Sequence, residues 1–195
     1  NQPAITKWNL SRFAECLIPF IDQDENKAVK SATELIETFG KKYEEKWLKM
    51  MRKKLGLLGE DKKDKFLIVD LLTWMHQKKV DYTNIFCHLI NIKIDKDENL
   101  EDNDFQNWKK RWQLRLKINK NTPEKSMKLM KSANPIIIPR NQKVEEALEA
   151  AKKGDLGSVN QLIDVLKEPY SHKENIFEYQ MPSNFNENYR TFCGT

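Results

Sequence analysis

The sequence is poor in turn-forming residues and has no long apolar run. Of its 195 residues, 6 are glycine and 7 are proline, whereas a fold built from hairpins needs many turns made of these residues. No apolar run approaches the roughly 20 residues that a membrane-spanning helix requires. These shortages disfavour a β-rich fold and predict that a membrane is not among the partners of this chain.

Cysteine is also scarce, and its three positions, Cys16, Cys87 and Cys193, are far apart. An odd number of dispersed cysteines argues against a disulfide framework and for a reducing compartment, so we expect a cytoplasmic location. Cys16 falls on the apolar side of the first helix and is expected to be a small core residue. Cys193 lies beside a glycine near the chain end, where it is either a candidate redox-active thiol or an incidental tail residue.

The glycine-rich loops that hold phosphates are missing, as are the His-Arg-Asp and Asp-Phe-Gly motifs of kinases. We therefore expect no catalytic, cofactor-binding or metal-binding residues within this chain. One acidic segment, 95–106, begins like a calcium loop, but Leu100 and Gln106 replace the glycine and glutamate that such a loop needs. We interpret this segment as a solvated loop. The three histidines, His76, His88 and His172, have no neighbours at catalytic or zinc-binding spacing.

The net charge of +5 comes almost wholly from lysine. Grooves that bind nucleic acid favour arginine, whose planar fork matches phosphates and base edges, so we expect no nucleic-acid partner. Phe105, Trp108 and Trp112, with cations between them, could form a platform for stacked bases. Their helical spacing favours a simpler interpretation, in which the aromatic rings face the core.

Apolar residues recur at helical spacing through most of the chain, which predicts an all-α, multi-helix body over residues 1–170 and an irregular tail over 171–195. The first helix is expected at 7–21, with Pro19 kinking it or ending it early. A long second helix should run from an Asp24 cap to Gly56, with Gly40 inside it. The inner face of the third helix, at 61–78, is expected to consist of Phe66, Val69, Leu72 and Met75.

Further signals predict the later helices. Asp81 is expected to cap the fourth helix, and Thr122 followed by Pro123 marks another helix start. Ile136, Ile137 and Ile138 form either a buried connector or a short strand. Near Gly154 a helix pair is expected, its second helix capped by Asp155, which is similar to one hairpin of an ankyrin repeat.

Three separated segments resemble the selenoprotein O family. The first contains Asn1-Gln2-Pro3 and Trp8-Asn9-Leu10-x-Arg12. The second contains Asn134-Pro135, Arg140-Asn141, Ala147 to Gly154-Asp155, and Pro169-Tyr170. The third is Thr191-Phe192-Cys193-Gly194-Thr195, and Asp81-Tyr82-Thr83 in a linking helix fits as well. Order and spacing agree along the whole chain.

The chain departs from the family pattern at three points. Phe13 replaces a leucine, and Gln142 stands where histidine is common, so any role of that histidine is lost. The family often continues beyond Gly-Thr with a cysteine or selenocysteine followed by two serines, and this sequence stops short of them. A redox pair involving Cys193 would therefore be incomplete.

The resemblance implies a pseudokinase-like fold that transfers AMP from ATP to protein hydroxyl groups with a divalent metal such as Mg²⁺. The family's nucleotide and metal ligands lie upstream of the Asn-Gln-Pro segment, so none maps onto this chain. What maps is the later part of the helical lobe and the C-terminal extension. We therefore expect a piece of a longer protein, one that supports the upstream nucleotide-binding half and has protein substrates only as part of the whole.

Two further expectations follow from this interpretation. A face of the helical body around Trp8 and Phe13 should be apolar and bare without the upstream half, and a homodimer could cover it. The alternative is a stand-alone helical protein-interaction module that binds through the Gly154-Asp155 hairpin.

Overall fold

The computed structural model describes residues 2–92, 98–118, 122–171 and 176–182, and within them it contains helices and no strand. The predicted all-α class is therefore confirmed. The helices are α1 (Gln2–Ile21), α2 (Glu25–Glu37), α3 (Phe39–Lys54), α4 (Asp64–Lys78), α5 (Tyr82–Leu89), α6 (Asn103–Leu116), α7 (Pro123–Ala133), α8 (Asn141–Lys152), α9 (Gly157–Leu166) and the short α10 (Phe177–Gln180), with a 3₁₀ turn at Glu98–Glu101.

The chain divides into two compact units, residues 1–51 and residues 52–195. Their boundary lies within α3, near its C-terminal end. The sequence indicates one continuous body over 1–170, because no proline-rich or glycine-rich linker marks this point. None of the helices in the described parts of the chain combines the length and the hydropathy of a membrane span.

The first unit contains α1 and α2, which pack against each other. α1 begins at Gln2, five residues earlier than expected, and continues through Pro19 to Ile21. A proline removes one backbone hydrogen bond but has a φ angle suited to a helix, so two further residues can follow it. No residue of this 20-residue helix is buried.

The expected long second helix is two helices, separated at Thr38. Asp24 caps α2 as predicted, since its carboxylate accepts hydrogen bonds from the backbone N–H groups of Asn26 and Lys27 at 3.0 and 3.4 Å. At the other end, the Thr38 hydroxyl donates to the Leu35 carbonyl at 2.7 Å. Such local side-chain bonds compete with the helical backbone pattern, and hydrophobic periodicity does not reveal them.

The core of the second unit is built around the aromatic residues of α6. Phe105, Trp108 and Trp112 are buried, which confirms their assignment to the core. The Trp108 indole N–H donates to the Leu67 carbonyl and that of Trp112 to the Leu55 carbonyl, each at 2.8 Å. Buried indole nitrogens need such partners, and these two bonds orient α6 against α4 and against the segment that follows α3.

The predicted inner face of α4 is confirmed at Met75 and wrong at Phe66 and Val69. Its buried apolar residues are Leu67, Ile68, Leu71, Trp74 and Met75, whereas Phe66 is 70% exposed and Val69 is 42% exposed. Apolar residues lie on several sides of this helix, so their spacing alone fits more than one face. The hydrogen bond from Trp108 to Leu67 shows which side meets α6.

The turn at Gly56, which follows α3, packs against α7. Gly56 has a φ of +68°, and a Cβ atom there would lie 2.9 Å from Met130 Cγ and 3.0 Å from the Ser126 carbonyl oxygen. The Ser126 hydroxyl donates to the Gly56 carbonyl at 2.8 Å. Both the backbone conformation and the close packing therefore require glycine at this position.

The later elements largely follow the sequence pattern. Thr122 caps α7 and Pro123 opens it, and residues 136–138 form the connector, in which Ile136 and Ile137 are buried. α8 and α9 pack as a hairpin. Asp155 lies one residue before the observed cap position of α9, although its carboxylate accepts the Gly157 N–H at 2.8 Å.

Part of the segment that was expected to be irregular is helical. α10 lies within 171–195, and Ile176, Tyr179 and Gln180 are buried. These residues have no recognisable periodicity because one helical turn is too short to show it.

The most deeply buried charge of the second unit is the carboxylate of Asp64, which is fully buried at the start of α4. Arg115 of α6 donates to it at 2.6 and 3.2 Å, and Arg52 of α3 donates at 2.7 Å. Arg115 also donates to the Leu58 carbonyl at 3.3 and 3.4 Å. Burial alone would raise the pKa of Asp64, but the bonds from Arg115, Arg52 and the Asp61 backbone lower it below its ordinary value.

We predict that Asp64→Asn destabilises the protein by about 3–5 kcal/mol at pH 7, because it removes the buried counter-charge of Arg115 and leaves Arg52 paired only with the exposed Glu60. Asp70→Asn is the matched control, since Asp70 pairs with Arg111 where both side chains are about half exposed, and such pairs contribute roughly 1 kcal/mol or less. Urea denaturation of both variants measures the difference.

The pH dependence provides a second check on the same variant. A carboxyl group whose pKa is lowered by folding stabilises the protein above its unfolded pKa of about 3.9, and that contribution is lost as the pH falls through the folded value. The deficit of Asp64→Asn should therefore shrink below about pH 4. A deficit that is constant from neutral to acid pH would contradict the charge-based explanation.

Candidate functional site

Arg140, at the start of α8, binds polar groups from two other segments, α5 with its cap and α10. Its guanidinium forms two hydrogen bonds to the Asp81 carboxylate. Its Nη2 also donates to Asn84 Oδ1 and to the Gln180 carbonyl, both at 3.0 Å. We call this set, Asp81, Asn84, Arg140 and Gln180, the Arg140 junction.

The local fold brings Asp81 to Arg140. Asp81 caps α5, where its Oδ1 accepts the Asn84 backbone N–H at 2.8 Å. A carboxylate at this position is favoured by the helix dipole, and its second oxygen is free to accept from Arg140. The Arg140 side chain is only 10% exposed. Such a bidentate, largely buried pair fixes both distance and orientation.

A second set of bonds ties the connector between α7 and α8 to its surroundings. Gln180 Nε2 donates to the Ile136 carbonyl at 3.3 Å, and the Ile136 N–H donates to the Pro169 carbonyl at 2.8 Å. The thiol of Cys87 lies 3.8 Å from the Pro135 carbonyl. The junction therefore joins α5, the connector, the end of α9 and α10.

Lys54 fixes the other end of this connector. Its ammonium donates to Asn134 Oδ1 at 3.0 Å and lies 4.6 Å from the ring centre of Phe86. The Asn134 amide in turn donates to the Lys54 carbonyl at 2.8 Å and to the Met130 carbonyl at 3.0 Å. Burial lowers the pKa of Lys54, and these contacts hold its amine against the α7 terminus.

A cleft of about 310 Å³ opens beside Arg140. Its lining residues are Arg140, Gln142, Lys143, Phe177, Glu178, Met181 and Pro182. Its charges are already matched, because Arg140 pairs with Asp81, and Lys143 lies 3.1 Å from Glu146 and 3.7 Å from Glu178. The cleft therefore presents little uncompensated charge to a ligand.

Three titratable groups near the junction have a raised pKa, which favours their protonated forms at neutral pH. Burial, reinforced by the charge of Asp81, raises the pKa of Cys87 to about 11. The hydrogen bond to Glu146 raises the pKa of Lys143, and burial raises that of Tyr179. A protonated thiol, ammonium or phenol is a poor nucleophile or base, so these groups suit structural bonding rather than group transfer.

Comparison with known proteins gives a consistent result. A family model described as "Protein adenylyltransferase SelO" matches residues 1–167. A "Protein nucleotidyltransferase YdiU" of Pelagibacter ubique is 54% identical over the whole chain, which covers 41% of that protein. Proteins with the same name from Nitrosococcus oceani and Clostridium beijerinckii are 42% and 41% identical, and the chain covers 40% of each.

The chain belongs to the SelO family of protein adenylyltransferases. It spans about 40% of the length of the curated relatives that it matches, so it corresponds to part of a SelO protein.

Some of the residues that carry the family resemblance meet at the Arg140 junction and its neighbouring bonds, whereas the Asn-Gln-Pro and Trp-Asn-Leu residues lie in the first unit and 191–195 lie outside the described residues. Those at the junction come from four separate stretches, which the hydrogen bonds described above link. They are Asp81, the pair Asn134-Pro135, Arg140 and Pro169. Gly154 and Asp155 lie apart from the junction, at the α8–α9 turn. Asn84 and Gln180 have no motif of their own, and sequence reasoning missed them because their partners are distant in the chain.

Other candidate residues have mixed outcomes. Cys193 and His172 lie outside the described residues. Cys16 is exposed rather than in the core, because the side of α1 that carries it is uncovered. Within the described ranges no group of three or more His, Cys, Asp or Glu side chains could hold a metal ion. The calcium-like segment is described only from residue 98 onward, where Asp102 caps α6.

We predict that Arg140→Met loosens α10, because it removes the bond to the Gln180 carbonyl and leaves the Asp81 carboxylate unpaired. The expected cost is about 2–3 kcal/mol, together with faster amide hydrogen exchange over residues 177–181. Lys152→Met is the control, since Lys152 pairs with Glu149 where both side chains are exposed. Unchanged exchange over 177–181 in Arg140→Met would show that the junction does not anchor this segment.

We also predict that Cys87 resists alkylation. With a pKa of about 11, its thiolate fraction at pH 8 is lower than that of an ordinary cysteine by about a hundredfold or more, and the side chain is buried besides. Treatment with iodoacetamide followed by peptide mass mapping should show modification of the exposed Cys16 and not of Cys87 until urea unfolds the chain. Rapid modification of Cys87 in the folded protein would contradict this.

Proposed function

We propose that this chain is the C-terminal helical region of a protein adenylyltransferase, which transfers AMP from ATP to hydroxyl groups of protein substrates. The observation that carries the proposal is the family match over residues 1–167 in a chain that spans about 40% of its relatives. The kinase-like architecture, in which these helices form the later part of the larger lobe, and the cytoplasmic location belong to the same proposal.

Within that protein the region acts as a support and not as the catalyst. The Arg140 junction favours this role, because its one cation and its one carboxylate bind each other and its hydrogen bonds join α5, the start of α8 and α10. Rigid elements of this kind hold catalytic loops in position from outside the reaction centre. The direct partner of the region is the upstream nucleotide-binding half, and protein substrates bind the whole protein.

ATP and Mg²⁺ are assigned to the part of the protein outside this chain. The carboxylates of Asp64 and Asp81 support this assignment, because arginine side chains already bind them. No catalytic step is therefore assigned to a residue of this chain.

We predict that the full-length protein transfers AMP and that residues 1–195 alone do not. In the transfer, a protein hydroxyl oxygen bonds to the α-phosphorus of ATP, the bond to the bridging oxygen breaks, and pyrophosphate leaves. ATP labelled at the α-phosphate should therefore label the acceptor protein, and ATP labelled at the γ-phosphate should not. The γ-label result separates AMP transfer from phosphoryl transfer.

Calorimetry of the 195-residue chain with ATP and Mg²⁺ should show no binding. Binding to this chain alone, or γ-phosphate transfer by the full-length protein, would overturn the assignment.

A second candidate function is a stand-alone interaction module, and the α8–α9 hairpin favours it. Leu148, Leu156 and Ile163 are each about half exposed there, as expected of a helical binding edge. A gene that begins near Asn1, together with capture of a protein that is lost on Leu148→Gln, would support this alternative. A gene that encodes a glycine-rich nucleotide loop upstream would favour the adenylyltransferase.

A further inference from the structure

α1 has an apolar face along its C-terminal half. Its sequence carries three charged residues, Lys7, Arg12 and Glu15, and its described residues are all partly or fully exposed. Four large apolar residues repeat at steps of three, four and three. They are Leu10, Phe13, Leu17 and Phe20, exposed by 38%, 60%, 37% and 85% respectively. We call these four residues the α1 face.

Helical geometry separates this face from the charges. At 3.6 residues per turn, the four side chains fall within an arc of roughly 80°, and each charged residue lies at least about 60° outside it. Ala14 and Ile18, which are half-buried, lie beyond the Leu10 edge of the arc and mark the side where α1 is covered. The α1 face is therefore a charge-free strip that is not the side already packed.

Trp8 does not belong to this face, although the sequence suggested that it pairs with Phe13. Five residues of helix place the two side chains about 140° apart. The guanidinium of Arg12 lies 5.9 Å from the ring centre of Trp8, and Arg12 also pairs with Glu15 at 2.6 Å. Trp8 therefore lies on the charged side of the helix.

The spacing of the α1 face indicates what covers it. Steps of three and four residues are those of a helix whose side chains interlock with a second helix that lies nearly parallel or antiparallel to it. A helix draws most of its stability from packing such a face. With no charge on the strip, the complementary surface should be apolar as well.

We infer that the α1 face packs against an apolar helix in the part of the same polypeptide that lies outside this chain, the nucleotide-binding half. This inference rests on the proposed function. More than half of each compared relative lies outside the matched region, so a covalently attached partner is available. An attached partner has a high effective concentration, whereas a second copy must overcome the entropy loss of association.

Hydroxyl-radical footprinting of the full-length protein tests the inference. Labelling of Phe13 and Phe20 should fall by roughly fivefold or more relative to the urea-unfolded protein, because labelling follows exposed area and core side chains are mostly less than a tenth exposed. Trp8 is the control on the same helix, since it is as exposed here as Phe13, and it should remain readily labelled.

The possible results are decisive. Phe13 and Phe20 labelled as fast as in the unfolded protein would overturn the inference. Equal protection of Trp8 would overturn the assignment of the interface to the charge-free strip. Protection that disappears on dilution, with light scattering showing a dimer, would assign the face to a second copy and overturn the inference.

A pair of variants gives an independent readout. In the full-length protein, Phe13→Gln combined with Phe20→Gln should lower the midpoint of thermal unfolding, whereas Trp8→Gln should leave it nearly unchanged. Equal effects of the two would contradict the inference.

Footprinting needs neither ATP nor a protein substrate, so failure of the interface is distinguishable from failure of the proposed function. Protection of the α1 face without AMP transfer would contradict the proposed function and support the interface. AMP transfer in a protein whose α1 face is fully labelled would support the proposed function and contradict the interface.

Discussion

The second unit depends on carboxylates placed at the starts of helices and bound by cations from distant parts of the chain. Asp64 opens α4 and binds Arg115, which is 51 residues away. Asp81 caps α5 and binds Arg140, which is 59 residues away. Asp102 caps α6 and binds Lys78 at 2.5 Å and the Trp74 indole at 3.2 Å. Each acid satisfies the positive end of a helix and also fixes the position of a second element.

In this arrangement two charged residues of the family motifs, Asp81 and Arg140, are bound to each other. A carboxylate that already accepts from backbone amides and from a guanidinium has little capacity left to bind a metal or to accept a proton. Cys87, next to the Arg140 junction, keeps its proton for a related reason, because burial and the neighbouring carboxylate disfavour the thiolate. The proposed function therefore assigns AMP transfer, which needs available anions and phosphate-binding amides, to another part of the protein.

Much of the fold could be predicted from the sequence because its determinants are local. The Asp24, Asp81 and Thr122 caps lie next to the helices that they start, and the spacing of Phe105, Trp108 and Trp112 is short. The division of the long helix at Thr38 could not be predicted, because one hydroxyl bond leaves the hydrophobic period unchanged. The buried face of α4 was misplaced for a different reason, since that helix is apolar on several sides and tertiary contacts select among them.

The candidate site was harder to predict, because a hydrogen bond between distant residues leaves no periodic trace. Asp81 was recognised as a cap and Arg140 as part of a motif, yet nothing in either segment indicates that they pair. Asn84 and Gln180 were missed altogether, as was the pairing of Asp64 with two arginines. Cys16 illustrates a different error. The apolar side of a helix predicts a buried position only where another element packs against it, and Cys16 is exposed.

The same reasoning explains why α1 differs from the helices of the second unit. Helices α4, α5 and α6 each carry buried apolar residues, and an ion pair to a distant residue is made within α4 and α6 and by the Asp81 cap of α5. The described residues of α1 include no buried side chain. Burying a phenylalanine or leucine side chain contributes about 1.5–3 kcal/mol, and exposed ion pairs such as Arg12 with Glu15 contribute much less. A helix with an exposed strip of Leu10, Phe13, Leu17 and Phe20 therefore has most of its stabilising free energy still to gain. That gain requires an apolar surface, and the polar ties that hold the second unit together cannot provide it.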